Sequence, residues 1–340
     1  MTKTAVVILN WNGIKFLKQF LPGVINYTDT PNSKVYVADN GSTDESVQYI
    51  KENHPEAELV LLDKNYGFTG GYNRALTQID AEYFILLNSD IEVSPNWLAP
   101  LEELMDKNKN VAACMPKIRS FHQKEYFEYA GAAGGFIDKF GYPFCRGRIL
   151  NVVEEDKGQF DQETEVFWAT GACMMVRAEL YKKLNGLDED FFAHMEEIDL
   201  CWRLKNLGYN IMYQPKSTVY HIGGGTLPNN TPRKVYFNYR NNLFLLYKNL
   251  PSKKFRSTLL SRMVLDGMSA GIYLLKGEFG FFGAVFKAHM HFYKSIKDLR
   301  KKRKQITQNK IESGMYNASI VFSFFIRNKK KFNHLNDQRF

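Results

Sequence analysis

Three polar residues, Asn88, Ser89 and Asp90, close the apolar segment that begins at Tyr83. A carboxylate at the exposed end of a buried strand, with a second oxygen ligand two residues earlier, can hold a divalent cation against a diphosphate. Mg²⁺ and Mn²⁺ favour such sites, because one or two protein oxygens suffice when phosphates and water complete the coordination. The alternative is that Asp90 caps a helix that begins near Pro95. The segment is therefore a candidate metal site with a structural alternative.

A second candidate is the acidic segment Glu196-Glu197-Ile198-Asp199, which precedes a predicted helix. Crowded carboxylates repel one another, and this raises the pKa of one of them towards that of a general base. The alternative is an acidic helix N-terminus, which is stabilised by the helix dipole. The residues alone favour this second interpretation.

His221 precedes three glycines and follows a predicted strand. A single histidine is most often a hydrogen-bonded structural residue, but beside a diphosphate and a metal it can act as a ligand or a proton donor. Asp39 closes another apolar segment, and Asp44 opens the helix that follows. For Asp39, a role in the turn and a hydrogen bond from a nucleobase or ribose are both open, whereas Asp44 fits a role at the helix dipole.

The segment Asn65–Arg74 is a glycine-rich loop that enters a helix. It departs from the dinucleotide-binding and P-loop patterns. Gly70 and Gly71 would let the backbone approach a ligand, and a helix N-terminus favours a phosphate. This pattern is weak when taken alone.

The elements that must position these residues alternate between strand and helix. Apolar segments predict four buried parallel strands, joined by helical segments in right-handed crossovers. Each strand ends in a polar cluster, and ligands bind at the carboxyl edge of such sheets, so the sequence predicts a nucleotide-type pocket there. The strands are Ala5–Asn10, Lys34–Asp39, Glu58–Leu62 and Tyr83–Asn88, and the helix before the last is predicted from about Gly71 to Ile79.

The composition limits the classes of protein to which the chain can belong. The chain has 340 residues, of which 44% are hydrophobic and 24% charged, and this excludes a largely disordered or collagen-like chain. None of the four cysteines forms a CxxC pair, so we expect reduced thiols and no zinc site. An apolar run of five residues near the N-terminus is too short for a signal peptide, and no uncharged run reaches the roughly 18–20 residues that span a bilayer. We therefore expect a cytoplasmic protein.

The net charge of +9 is unevenly distributed. Residues 251–340 carry 19 Lys and Arg against 5 Asp and Glu, whereas residues 1–250 carry 26 against 31. The body is thus mildly acidic, and this argues against a nucleic-acid partner.

Seven motifs in order resemble those of the inverting family 2 glycosyltransferases of GT-A fold, and most closely the rhamnosyltransferase-like branch that acts on cell-surface polysaccharides. The similarity covers residues 4 to about 250. The motifs are VVILNWNG, VYVADNGSTDES, NYGFTGGYNRAL, YFILLNSDIEV, the block FWATGACMMVRAELYKKLNGLDEDFFAHMEEIDLCWRLKNLGY, HIGGGT and the YRNN of Tyr239–Asn242.

This resemblance implies an α/β GT-A fold with a mostly parallel central sheet flanked by helices. Helical patterns from Arg233 onward and the basic composition after residue 250 predict that a helical basic extension follows it. Residues 1–250 would form the catalytic domain, with a nucleotide-sugar-binding half (1–110) and an acceptor-binding half (111–250), and residues 251–340 the extension. The implied reaction moves a sugar, with inversion, from a nucleotide-diphosphate donor to a saccharide or lipid-linked saccharide. The first donor to consider is dTDP-rhamnose. The QxxRW motif of processive synthases is absent, so one or few additions are expected.

The resemblance also implies roles for single residues. Asp39 would bind the nucleobase, Asp90 and His221 would bind Mg²⁺ or Mn²⁺ with the diphosphate, and Glu197 would be the catalytic base. Asn88 replaces the first Asp of a strict DxD motif, and Glu196 and Asp199 remain alternative or supporting carboxylates. Further donor-side residues would be Asn10, Asn12, Asn65, Gly70, Gly71, Asn73, Asn88 and Ser89, and acceptor-side residues would be Trp168, Thr170 and Gly171.

Two other functional classes remain open on the sequence. A nucleotidyltransferase also binds a nucleotide and a metal at a strand edge, but it typically carries a cation-rich glycine loop after the first strand. Here that place reads Asn10-Trp11-Asn12-Gly13. A non-catalytic sugar-binding relative would keep the fold, but the acidic residues and His221 are intact.

The basic C-terminal region predicts a membrane-surface module on the inner face of the plasma membrane. Apolar residues recur at helical spacing at Leu260, Val264, Met268, Ile272 and Leu275, and an aromatic stripe follows at Phe279, Phe282, Phe286 and Tyr293. The basic run Arg300–Lys304 comes next, and each such cation contributes about 1 kcal/mol near an anionic surface. The uncharged runs, including Ser313–Ile326, are expected to lie on the bilayer. The alternative is a helical extension that packs on the catalytic domain or on the partner in a homodimer.

Overall fold

A computed structural model describes residues 2–223, 231–309, 311 and 313–340. Residues 224–226 of the HIGGGT motif therefore lie outside the described residues. The strands are β1 Thr2–Asn10, β2 Ser33–Asp39, β3 Glu58–Leu61, β4 Ala81–Asn88, β5 Ile91–Val93, β6 Val111–Ser120, β7 Gly135–Asp138, β8 Pro143–Cys145, β9 Arg148–Ile149, β10 Val152–Val153, β11 Thr164–Val166, β12 Cys173–Arg177, β13 Asn210–His221 and β14 Met315–Tyr316.

The α-helices lie on both sides of the sheet and at the C-terminal end of the chain. They are α1 Ile14–Tyr27, α2 Ser46–Asn53, α3 Gly67–Leu76, α4 Ala99–Lys107, α5 Ala178–Lys183, α6 Glu196–Asn206, α7 Pro232–Asn249, α8 Ser252–Leu275, α9 Phe279–Gln305 and α10 Ile320–Phe325. Among the described residues, no helix is both long enough and apolar enough to cross a bilayer.

The first four strands are parallel in the order β3-β2-β1-β4, as the apolar segments predicted. Their interior is fully buried, and it includes Val6, Val7 and Leu86. The register pairs Asn10 with Asp39 and Leu9 with Asn88. Three of the predicted polar clusters therefore meet at one carboxyl edge, and the α/β prediction is confirmed.

The second half of the main sheet is mixed, so the sheet is parallel mainly in its first half. Strand β12 runs antiparallel between β4 and β6, and β13 is parallel to β6 but antiparallel to β5 and β11. The antiparallel pairing places Cys173 opposite Leu87, and the Asn88 amide donates to the Ala172 carbonyl at 2.9 Å. This pairing brings the segment just before β12 to the polar end of β4.

Helix α3 begins at Gly67, four residues earlier than predicted. A Cβ at Gly71 would lie 2.8 Å from Leu9 Cδ1 and 2.9 Å from Asn40 Nδ2. The absence of a side chain at Gly71 therefore lets α3 approach β1 and the turn after β2. We predicted that Gly70 and Gly71 let the backbone approach a ligand, whereas both are buried, and Gly71 serves packing between elements.

The C-terminal region is less separate than the sequence predicted. Helix α9 packs along α7, and α8 packs against both. Strand β14 then pairs with β7 in a second, five-stranded sheet, and Tyr316, Ile320 and Phe324 are buried. The prediction that the run Ser313–Ile326 lies on a bilayer is wrong for this buried part, because its apolar residues complete the core around β7.

Candidate functional site

A cleft of about 470 Å³ opens beside the carboxyl end of β4. Its walls combine residues from the strand ends, the loop before α6, and helices α7 and α8. The sequence-predicted residues among them are Asn88, Asp90, Thr170, Gly171, Glu196, Glu197 and His221. These residues lie far apart in sequence, and the fold brings them to one cavity.

Asp90 and His221 form an ion pair at one side of the cleft. Strand β13 pairs with β5 so that His221 lies opposite Ile91, and His221 Nε2 is 3.2 Å from Asp90 Oδ1. Glu128 flanks the other ring nitrogen, with Oε2 at 3.3 Å from Nδ1, although the geometry is not that of a regular hydrogen bond. All three side chains are buried.

The charge balance of this group is set by the two carboxylates. Burial alone would lower the pKa of His221, but Asp90 and Glu128 raise the pKa to about 10, so the ring is protonated at neutral pH. Burial alone would raise the pKa of Asp90, but the His221 imidazolium lowers it below its usual value. The group therefore combines two negatively charged carboxylates with one positively charged imidazolium.

A divalent cation fits this donor set. Asp90 supplies a carboxylate, Asn88 an amide oxygen two residues earlier, and His221 an imidazole, and these are ligands that Mn²⁺ and Mg²⁺ accept. Among the described residues, no group of three or more His, Cys, Asp or Glu side chains is arranged as a complete coordination site. The protein ligands would thus be few, as expected where a diphosphate and water supply the rest.

Glu196 and Glu197 begin α6 at the floor of the cleft. Glu196 is buried and Glu197 partly exposed, and the Oε2 atom of each is buried without a hydrogen-bond partner in the described structure. Burial raises the pKa of Glu197 to about 7, although backbone amides at the helix start offset part of this effect. Burial and then the charge of Glu197 raise the pKa of Glu196 well above its usual value. The pair therefore contains a carboxylate suited to accept a proton near neutral pH.

The loop before α6 has a strained backbone. Phe192, His194 and Met195 have φ angles of 64°, 69° and 72°, in the left-handed region that non-glycine residues seldom adopt. Such conformations cluster at functional sites, where surrounding contacts hold them.

Helix α7 supplies those contacts through the YRNN motif. Asn241 Nδ2 lies within hydrogen-bond distance of the carbonyls of Phe191, Ala193 and His194 at 3.0, 2.8 and 2.7 Å. The neighbouring guanidinium of Arg240 donates to the carbonyls of residues 190 and 191. The middle residues of this motif therefore bind the backbone of the loop that carries the acidic pair.

Asp199 does not belong to the cleft. It is fully buried on the far side of α6, where its carboxylate contacts Arg203 Nε at 2.8 Å, Lys248 Nζ at 2.8 Å and Asn249 Nδ2 at 2.9 Å. Burial would raise its pKa, but Lys248 and Arg203 lower it, so Asp199 stays charged. It is an anchor between α6 and α7 and no candidate for the base.

Asp39, the predicted nucleobase residue, lies beside Asn10 at the neighbouring strand ends, outside the cleft walls. Asp39 is buried and accepts hydrogen bonds from Asn10 Nδ2 at 3.1 Å and the Ser42 amide at 2.9 Å. Each oxygen of the Asp39 carboxylate retains a second lone pair. Ser89 lies near this edge, close to both Gly13 and Asn10. A Cβ atom built on Gly13 would be 2.4 Å from Asn10 Oδ1 and 3.8 Å from Ser89 Oγ.

Three of the predicted donor-side asparagines hold loops together. Asn12 accepts from the Thr43 amide at 2.7 Å, and Asn65 accepts from Asn40 Nδ2 at 3.1 Å. Asn73 donates to the Leu187 carbonyl at 2.8 Å and lies outside the cleft walls. Their hydrogen bonds are those of structural residues, and Asn73 joins α3 to the segment around Leu187.

On the predicted acceptor side, the structure separates Trp168 from Thr170 and Gly171. Thr170 and Gly171 line the cleft, and Gly171 packs against Phe68 and Glu197. Trp168 is buried against β7, where its Nε1 donates to the Phe136 carbonyl at 2.9 Å. The prediction for Trp168 is wrong, because the segment between β11 and β12 directs its ring into the core.

Several residues of the cleft were missed by sequence reasoning. Arg148 lies in the short strand β9, which carries no motif, and Arg262 lies on α8, beyond the part of the chain that the family resemblance covers. Glu128, which contacts His221 from outside the cleft walls, lies in an irregular segment. Burial lowers the pKa of the missed His194 to about 4, with a smaller effect of Lys234, so His194 is neutral. Tyr239 and Asn242 are the first and last residues of the YRNN motif, and His194 lies in the long motif block, but no role was predicted for any of the three.

Comparisons with known proteins agree with this geometry. The family model described as glycosyl transferase family 2 matches residues 5–184. The chain is 27% identical over 231 residues to the N-acetylglucosaminyl-diphospho-decaprenol L-rhamnosyltransferase of Mycobacterium tuberculosis, covering 64% of this chain and 75% of that protein. It is 24% identical over 276 residues to a low-salt glycan biosynthesis hexosyltransferase of Haloferax volcanii, covering 78% and 82% of the two chains.

Solved structures share the fold. The crystal structure of GalNAc-T7 with UDP, GalNAc and Mn²⁺ superimposes with a TM-score of 0.58 at 17% identity. The similarity covers 73% of this chain but only 48% of that one, so the chain spans about half of its length. The central sheet and its flanking helices therefore form a GT-A fold. Since the matching family model spans more than half of the residues, the chain belongs to glycosyl transferase family 2.

Proposed function

We propose that the protein transfers a sugar from a nucleotide-diphosphate donor to a saccharide or lipid-linked saccharide, with inversion, in the synthesis of a cell-surface polysaccharide. One observation carries the proposal: Glu197 Oε2 is buried and has no hydrogen-bond partner among the described residues, and it lies in the same cleft as the Asp90–His221 pair. The family membership and the rhamnosyltransferase relative support it, and dTDP-rhamnose is the first donor to test.

In this reaction Glu197 removes the proton from the acceptor hydroxyl. The acceptor oxygen then forms a bond to the anomeric carbon from the face opposite the diphosphate, while the bond to the diphosphate oxygen breaks. The departing electron pair stays on the nucleoside diphosphate, and the proton stays on Glu197. Inversion follows because there is one displacement.

Asp90 and His221, with the amide of Asn88, would hold Mg²⁺ or Mn²⁺. Such a cation neutralises negative charge on the departing diphosphate. To bind a cation, His221 must give up the proton that it holds between the two carboxylates. Burial and the charge of Glu197 raise the pKa of neighbouring Glu196, which favours its neutral form and leaves the base without a second adjacent charge.

Nucleoside diphosphate release from a panel of nucleotide sugars tests the proposal. With Mn²⁺ and at least one donor, the wild-type protein releases the diphosphate, and Glu197→Gln lowers acceptor-dependent release by roughly 10²–10⁴-fold, as typical for loss of a general base. Glu52→Gln on the exposed face of α2 is the matched control. No release with any donor would favour the non-catalytic relative. A larger loss in Glu196→Gln would reassign the base.

We also propose that the enzyme works at the inner face of the plasma membrane, held by an apolar surface on α8 and α9. Residues Leu260, Val264, Met268, Ile272 and Leu275 of α8 are each more than half exposed. On the opposite face of α8, Arg262 and Asp266 are buried and paired at 2.7 Å. Over these turns the helix thus buries a charged pair and exposes an apolar stripe, the reverse of a helix on a water-soluble surface. On α9, Phe279, Phe286, Met290 and Tyr293 are also exposed.

The basic run contributes less than its sequence suggests. Lys302 Nζ contacts Asp190 at 2.6 Å and also pairs with Asp188, while Arg303 donates to the carbonyls of Tyr247 and Leu250. These two cations fasten α9 to the catalytic domain. The prediction that all five cations of the run face a membrane is therefore wrong.

Cosedimentation with anionic and neutral vesicles at physiological salt tests the membrane proposal. We expect wild type to sediment with anionic vesicles, and Met268→Glu with Ile272→Glu to stay in solution with unchanged donor turnover. Glu substitutions at exposed Gln19 of α1 and exposed Asn53 of α2, which add the same two negative charges, are the control. Absence of vesicle binding by wild type would contradict the proposal.

A further inference from the structure

A second groove, of about 620 Å³, lies between α8, the turn after β7 and α10. Its apolar residues include Leu260 and Val264 from the exposed stripe of α8, together with Phe322 of α10. Lys139, Arg327 and Arg339 also line it. The groove is therefore amphipathic, with apolar surface and three cations.

These cations have no carboxylate partner within 4 Å among the described residues, and no carboxylate lines the groove. Lys139 Nζ lies 4.8 Å from the Phe140 ring, and the Arg327 guanidinium 5.4 Å from the Phe322 ring. By contrast, Arg262 on α8 and Lys302 and Arg303 on α9 are each bound to protein groups. The uncompensated charge complements an anion that carries an apolar chain.

The groove and the cleft are neighbours through two elements. In the turn after β7, Lys139 and Phe140 face the groove, whereas Tyr142 and Pro143 line the cleft. Buried Asp138 fixes this turn by accepting from the Phe140 and Tyr142 amides at 2.8 and 2.9 Å, and from the Ile320 amide of α10 at 2.9 Å. On α8, Ser261 lines the groove and Arg262 the cleft.

We infer that this groove binds the phosphate-bearing lipid end of the acceptor, while its saccharide end enters the cleft. The inference rests on the proposed function, because it names the acceptor class of that same enzyme. Phosphate oxygens contact Lys139, Arg327 and Arg339, since Arg and Lys side chains bind phosphate through charge-assisted hydrogen bonds. The first part of the lipid chain covers Leu260, Val264 and Phe322 and continues along the exposed stripe into the bilayer.

Acceptor kinetics test this assignment. The same saccharide is offered as a lipid diphosphate in detergent and as a water-soluble glycoside. For Lys139→Gln with Arg327→Gln, two exposed positions, we expect a KM for the lipid-linked acceptor raised roughly tenfold or more. Its kcat, and both constants for the soluble glycoside, stay unchanged. The control is the exposed pair Lys15→Gln with Lys51→Gln, which removes the same charge elsewhere.

Equal changes for both acceptors, or none for either, would overturn the inference. The inference would also be overturned if the double variant lost binding to anionic phospholipid vesicles but kept an unchanged KM for the lipid-linked acceptor. The groove would then bind membrane phospholipid rather than the acceptor.

Direct binding keeps the test independent of turnover. Calorimetric titration with farnesyl diphosphate, without metal, should give an affinity roughly tenfold weaker in the double variant and unchanged in Asp90→Asn. Inorganic diphosphate should bind wild type more weakly than farnesyl diphosphate. If affinity for farnesyl diphosphate is lost only in Asp90→Asn, the ligand binds in the cleft and the inference is overturned. Absence of turnover alone would contradict only the proposed function.

Discussion

Replacing Asn241 with Ala should release the strained loop that carries the acidic pair. The Asn241 amide lies within 3.0 Å of three backbone carbonyls between Phe191 and His194, and it can make two good hydrogen bonds at one time. Each contributes about 1 kcal/mol. The three left-handed residues of the loop store roughly 1 kcal/mol each, so the loop relaxes once its donor is removed.

The expected loss can be worked from these contacts. Two hydrogen bonds, about 2 kcal/mol in total, correspond to roughly a 30-fold smaller population of the catalytic loop conformation. We therefore expect kcat to fall about 30-fold, with a smaller change in KM for the donor, because Asp39 and its hydrogen-bond partners Asn10 and Ser42 lie outside the cleft walls. Steady-state kinetics of nucleoside diphosphate release, with thermal denaturation in parallel, measure both effects.

Gln214→Ala is the matched control. Gln214 is also a buried amide, and it donates to the Pro100 carbonyl and to Glu163, remote from the cleft. The Gln214→Ala substitution should lower the melting temperature by about as much as Asn241→Ala does and leave kcat nearly unchanged. If Asn241→Ala lowers the melting temperature but keeps wild-type kcat, the loop does not depend on its backbone donor and the reasoning is refuted.

Three further outcomes are expected. Asp90→Asn should abolish metal-dependent transfer and leave the circular dichroism spectrum intact; activity within a few-fold of wild type at saturating Mn²⁺ would remove Asp90 from the mechanism. Because the pKa of Glu197 is raised to about 7 and the base must be deprotonated, kcat should rise with pH through about 7. A rise of kcat centred near the ordinary glutamate pKa would contradict the buried environment assigned to Glu197. Gly71→Ala should destabilise the fold by about 1–3 kcal/mol in urea unfolding, since its Cβ would press on Leu9, and an unchanged midpoint would disprove the close packing of α3 on β1.

The sequence predicted the parallel half of the sheet because its signals are local. Each strand is a short apolar run closed by polar residues, and the rule that ligands bind at the carboxyl edge then placed Asn88 and Asp90 correctly. The pairing of Asp90 with His221 was reached only through the family resemblance. No local pattern reports that β13 returns beside β5.

What the sequence did not predict depends on long-range packing. Glu128 meets His221 through an irregular loop, and Trp168 faces the core because of how β11 and β12 are paired. Asp199 also carries a carboxylate and lies two residues after the acidic pair, yet the helical turn directs it to Lys248 on another helix. The burial of the charged face of α8 likewise depends on Asn242 and Tyr142, which lie far away in sequence.

The anomeric configuration of the first product tests most directly the claim that Glu197 acts as a single base in one displacement. The product formed from the preferred nucleotide sugar is followed by proton NMR, and the anomeric coupling or chemical shift of the transferred sugar is compared with that of the donor. We predict an inverted configuration in the first product observed. A retained configuration would contradict the account, because retention requires either a nucleophile on the enzyme or a front-face mechanism, and neither is a role for Glu197 as assigned.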